Sequence, residues 1–111
     1  MADAASRIVR LRAEHNDADS RFLDAYLDGE GNLHVDGQDL GPATSMVSGD
    51  GEYEWFETVK ARHLPQLVQA LGGEPSQDLL DLLEERFTGQ GSYEFERILR
   101  ASGIPVELFV Y

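Results

Sequence analysis

The sequence predicts an α+β domain, a mainly antiparallel sheet in the order β-β-β-β-α-α-α-β with helices on one face. Three observations predict it. Apolar residues alternate with polar ones through much of residues 7–61. They shift to a spacing of three and four between residues 64 and 101, and return to an extended pattern at the end. At 111 residues the chain is read as a single domain, 1–111, with residues 1–6 a flexible N-terminus. A chain of this length buries about two-thirds of its unfolded surface. That is enough for a core without disulfides, and there is no cysteine to form any.

The first strand is "RIVRLRAEH" (7–15), with Val9, Leu11 and Ala13 on one side and Arg10, Arg12 and Glu14 on the other. "RFLDAYLD" (21–28) and "NLHVDG" (32–37) alternate in the same way. "GPATSMVSGDG" (41–51) reads as a loop. "EYEWFETVKA" (52–61), rich in aromatic and β-branched residues, reads as the fourth strand. Alternation puts Tyr53 and Trp55 on one face of it and Phe56 and Thr58 on the other, without deciding which face is buried.

Leu64, Leu67, Val68 and Leu71 then form a helical stripe, with Pro65 suited to the first turn and Gly72 to the stop. "SQDLLDLLEERF" (76–87) has Ser76 as its expected N-cap and presents Leu79, Leu80, Leu83 and Phe87. "SYEFERILRAS" (92–102) presents Phe95, Ile98 and Leu99 and stops at Gly103. "IPVELFVY" (104–111) is the final strand. The two periods agree on one apolar layer: Leu23, Leu27, Leu33, Val35, Leu67, Leu71, Leu80, Leu83, Phe95, Ile98 and Leu108.

Charge narrows the function. The chain carries 21 acids against 9 bases, a formal net charge of −12. Such a field repels nucleic-acid phosphates and anionic lipid surfaces and favours a cationic partner. No apolar run resembles a signal peptide or a membrane span, so a soluble, cytoplasmic protein is expected.

"YLDGEGNLHVDGQDLG" (26–41) carries acids at alternate positions, which raises the question of a calcium loop. Asp28, Glu30 and Asn32 could fill positions 1, 3 and 5 of an EF-hand loop. Position 6, which needs glycine, is Leu33; position 12, which needs a bidentate glutamate, is Asp39; and neither flank is helical. A hairpin with the three-residue loop Gly29-Glu30-Gly31 explains the segment instead, its glycines supplying positive φ. That register pairs Leu27 with Leu33 and Ala25 with Val35. A slip of one residue would mix the faces.

On the other side the same register sets Tyr26 opposite His34 and Asp24 opposite Asp36. Phe22, Asp24, Tyr26, His34 and Asp36 are therefore the candidate partner-binding residues, with carboxylates to attract a basic protein and rings to hold it. Asp24, His34 and Asp36 are a weaker alternative as metal ligands, since no H-x-x-H or H-E-x-x-H pattern accompanies them. No nucleophile elbow, phosphate loop or dinucleotide fingerprint occurs. "GDGEYE" (49–54) reads as a turn, and His15 and His63 as surface or capping residues. Glu52, Glu54 and Glu57 could serve acid–base chemistry, but among 21 acids such neighbours arise by chance. No catalytic residue and no cofactor are assigned.

The segments "GNLHVDGQDLGPA", "GEYEWFETV", "LPQLVQALGG" and "GIPVELFVY" resemble a group of small acidic actinobacterial proteins that mostly lack assigned functions, over residues 21–111. In size, acidity and layout the chain is also similar to immunity proteins. This is a likeness of class that transfers no residues, and it implies a protein that neutralises a partner by binding it. The expectation is a non-enzymatic binding module with a basic protein partner, immunity- or antitoxin-like. The alternatives are a cytoplasmic protein whose acidity serves solubility alone, and a weak metal-binding protein or enzyme.

Overall fold

The computed structural model describes residues 7–16, 18–41 and 52–111; the readings made for 1–6 and 42–51 lie outside them. The order is β1 (Ile8–Asn16), β2 (Asp19–Leu27), β3 (Leu33–Leu40), β4 (Glu52–Val59), α1 (Leu64–Ala70), α2 (Leu79–Arg86), α3 (Gly91–Ala101) and β5 (Glu107–Val110). The strands form one antiparallel sheet in the order β1-β2-β3-β4-β5. The helices pack on one face, so the predicted α+β class is the observed one.

The β2–β3 register matches the hairpin argument, with Leu27 opposite Leu33, Ala25 opposite Val35, Tyr26 opposite His34 and Asp24 opposite Asp36. Gly31 carries the positive φ of the turn, at 83°; Gly29 does not need it. The carboxylate of Asp28 holds the loop, with Oδ1 accepting from the backbone N–H of Glu30 (2.8 Å) and Asn32 (3.0 Å). Asn32 in turn accepts from the Ala61 N–H at 2.9 Å, tying the hairpin to the end of β4.

Several expectations need correction. β1 does not alternate throughout: a β-bulge at Leu11 separates the Arg10–Asp24 pair from the Arg12–Leu23 pair. One extra residue reverses the faces beyond it, so Arg12 and Glu14 turn to the helix side and Ala13 to the open side beside Phe22. The freed Leu11 carbonyl accepts from the Gly89 N–H at 2.8 Å. β4 ends at Val59, and a 3-10 turn (Ala61–His63) leads into α1. The N-cap of α2 is Asp78, not Ser76. Its Oδ1 accepts from the Asp81 N–H at 2.8 Å, and Ser76, two positions before the cap, is left outside the helix.

The core lies between sheet and helices. Leu23, Leu33 and Val35 meet Leu67, Leu71, Leu80, Leu83 and Phe95, all buried, while Leu27 and Ile98 pack against them half-buried. Leu108 does not join them, being 60% exposed. It does point to the helix side, opposite Glu57. Helices α2 and α3, however, pack toward β1, at the far edge of the sheet from β5, and leave β5 uncovered. No helix among the described residues is long and apolar enough to cross a membrane.

Candidate functional site

Register divides the sheet into two faces with different chemistry. The face without helices is built of cross-strand rows. One runs Ile8, Tyr26, His34, Thr58, Glu107; the next runs Arg10, Asp24, Asp36, Phe56, Phe109; a third runs Ala13, Phe22, Gln38, Glu54. All five sequence-predicted residues, Phe22, Asp24, Tyr26, His34 and Asp36, thus lie together on this face, each half-buried.

Their contacts refine the expectation. The rings of Tyr26 and His34 stack at 5.0 Å and 14°. His34 Nε2 lies 2.7 Å from Asp28 Oδ2, and Nδ1 lies 3.3 Å from Thr58 Oγ1. Asp24 is not an open carboxylate. Arg10 donates to both its oxygens, at 2.9 and 3.0 Å, and spreads its guanidinium 5.1 Å from the Phe22 ring. This bidentate pair explains why Asp24 and Asp36 tolerate direct opposition. Asp36 has no such partner among the described residues. Burial pushes its carboxyl above the ordinary value, with His34 opposing and Asp24 adding to the shift. Asp24, His34 and Asp36 therefore do not converge as metal ligands. Among the described residues no group of three or more His, Asp and Glu could hold an ion.

The helix-covered face is apolar near the hairpin and polar at the other end. Tyr53, Trp55, Glu57 and Val59 face it, which settles the orientation of β4. Trp55 lies flat over Gly37, where an added Cβ would stand 2.2 Å from the indole. The buried stripe of α3 is Ser92, Phe95, Glu96 and Leu99. Its polar half meets Arg12, which donates to Glu96 Oε1 at 2.6 Å and Ser92 Oγ at 2.9 Å and lies 3.7 Å from the Tyr93 ring centroid. Tyr93 donates to Glu14 Oε1 at 2.6 Å.

Beside this cluster opens a cavity of about 290 Å³, lined by Arg12, Arg21, Asp39, Tyr53, Trp55, Tyr93, Glu96, Arg100 and Leu108. Among the described residues, three buried polar atoms there or nearby have no hydrogen-bond partner: Asp39 Oδ1, Trp55 Nε1 and Glu57 Oε1. Burial pushes the Asp39 carboxyl up against the pull of Arg21 and Arg12. It pushes Glu57 up against Arg100. The arrangement can offer cationic donors and the Asp39 carboxylate to one small molecule.

Sequence reasoning missed this second face, because strict alternation sends Arg12 and Glu14 to the solvent side. One signal was legible: Glu57 shares a parity with Tyr53, Trp55 and Val59 on a strand whose odd positions are otherwise apolar or aromatic. His15, at the end of β1, sits on the open side, with its Nδ1 2.9 Å from Ser20 Oγ and its ring edge-on to Phe22.

No family model, curated protein or solved structure matches the chain.

Proposed function

We propose that the protein is a non-enzymatic binding module, immunity- or antitoxin-like in kind, that engages a cationic protein partner through the helix-free sheet face. One observation supports this reading above others. The face sets the rings of Phe22, Tyr26, Phe56 and Phe109 among Asp24, Asp36, Glu54 and Glu107, on a chain of net charge −12. Aromatic area desolvated at the centre of a contact holds a partner, and a one-signed field speeds its arrival. With Asp24 occupied by Arg10, Asp36 becomes the carboxylate that meets the partner's cation. Phe109 of β5, 61% exposed and opposite Phe56, extends the same surface to the sheet edge.

The test is co-purification from the native host at low salt, followed by association kinetics with the recovered partner. Asp36→Lys is expected to slow association and flatten its salt dependence, and Tyr26→Ala to speed dissociation. Recovery of no specific partner, or kinetics indifferent to both substitutions, would return the acidity to a role in solubility alone.

A further inference from the structure

The cavity on the opposite, helix-covered face has no part in that reading, and its chemistry is separate. Its lining reverses the charge of the chain, with Arg12, Arg21 and Arg100 against Asp39 and Glu96. Arg12 is spent on Glu96, Ser92 and the Tyr93 ring, whereas Arg21 is exposed and the Arg100 guanidinium stays 3.7 Å from Glu96. Two atoms on lining residues, the acceptor Asp39 Oδ1 and the donor Trp55 Nε1, are closed off from solvent without a partner among the described residues. With Arg12 engaged, Arg21, Arg100 and the half-buried Asp39 carboxylate are the charged groups the lining leaves for a ligand, two cations and one anion.

We propose that this cavity binds a small zwitterion of the free amino-acid class with an aromatic side chain. A carboxylate meets Arg21 and Arg100, an ammonium meets the Asp39 carboxylate, and the ring lies against Tyr53, Trp55 and Tyr93. Simpler ligands do not match this lining. A plain anion such as phosphate sets a like charge against Asp39, and a plain amine faces two arginines. At about 290 Å³ the space is at the lower limit of pockets for drug-sized molecules, which suits a ligand of amino-acid size. The tilted Tyr53 and Trp55 rings, 5.4 Å apart, form an apolar wall for it.

Trp55 is the only tryptophan, so its indole N–H gives one isolated resonance that reports on the cavity. The experiment titrates isotope-labelled protein with L-phenylalanine, 3-phenylpropanoate, which lacks the ammonium, and phenethylamine, which lacks the carboxylate. L-phenylalanine is expected to shift the indole resonance saturably below about 10 mM, and each truncated probe to bind at least about tenfold more weakly. Arg21→Gln and Asp39→Asn are each expected to weaken L-phenylalanine by a similar factor. Arg21 is exposed, so its variant decides the matter even if Asp39→Asn does not fold. No saturable shift, equal binding of a truncated probe, or affinity unchanged in Arg21→Gln would overturn the proposal.

Discussion

Arg12 Nη2 stands 2.6 Å from Glu96 Oε1, with neither side chain more than 9% exposed, and the two residues lie 84 positions apart. The pair joins the first strand to the last helix. Its Coulomb attraction is offset by the cost of removing both charges from water, so its sign depends on whether both partners are present. Glu96→Ala or Arg12→Leu alone is expected to cost about 3–5 kcal/mol in urea melts by stranding one charge. The double variant Arg12→Leu/Glu96→Leu is expected to lose much less than the sum. Additive losses would show that the pair does not act as a unit.

Glu57 carries the opposite problem, a buried carboxyl with an oxygen unpaired among the described residues. Burial raises it above the ordinary value of 4.5, with Arg100 opposing and Glu96 adding. The folded protein thus binds this proton more tightly than the unfolded chain. The cost is absent at low pH and appears as pH rises from the ordinary value through the folded one. Glu57→Gln is expected to stabilise the protein at neutral pH by on the order of 1 kcal/mol, with the gain fading in acid. A gain that persists in acid would locate the effect in packing, not charge.

The hairpin behaves the other way. His34 holds the Asp28 carboxyl well below the ordinary carboxylate range against the effect of burial, helped by the Asn32 and Glu30 N–H groups. The stability this supplies is present above the ordinary value of 3.8 and is lost as pH falls through the folded value. Asp28→Ala is expected to lower the melting temperature at neutral pH and to flatten its decline in acid. Gly31→Ala, forced to keep a φ of 83°, is expected to cost about 1–2 kcal/mol at every pH. A wild-type acid profile retained by Asp28→Ala would refute the assignment.

Gly37 has room for no side chain, because the Trp55 indole occupies the space a Cβ would need. Gly37→Ala is expected to cost about 1–3 kcal/mol by displacing the ring and to change the fluorescence of the single tryptophan. Unchanged emission with unchanged stability would mean that the indole rests elsewhere in solution.

Leu83 and Leu108 separate buried from exposed leucine on the same side of the sheet. Leu83 is fully buried, and Leu83→Ala is expected to cost about 2–5 kcal/mol. Leu108, in the open beyond the helices, is expected to lose less than about half a kcal/mol as alanine. Chemical denaturation of both variants provides the comparison, and equal losses would contradict the exposed position of β5.

The β2–β3 register was legible because turn length and the two faces of Leu27, Leu33, Ala25 and Val35 admit one pairing only. The helical stripes were legible for the same reason, a period that a wrong structure would waste. The bulge at Leu11 was not. Val9 to Glu14 reads as strict alternation, and what breaks it is a long-range demand: α3 presents Ser92 and Glu96 to Arg12. Leu108 misled for a related reason, since parity gives the direction of a side chain but not the reach of the layer above it. The candidate open face followed from register alone, whereas the Arg10–Asp24 pair depended on how β1 is set against β2.

Strands β1 to β4 pair only with neighbours in sequence, while β5 closes on β4 with all three helices in between. A meander can zip from successive hairpins. Joining a strand across so long an intervening chain carries a larger entropic toll and slows the search. β5 is therefore expected to dock last and to open first, and amide hydrogen exchange should find it the least protected strand. Its residues Leu108, Phe109 and Val110 are also among the most exposed large apolar side chains described. Until β5 docks, the backbone edge of β4 waits unpaired beside them, so the interval before docking is when this protein is most prone to aggregate.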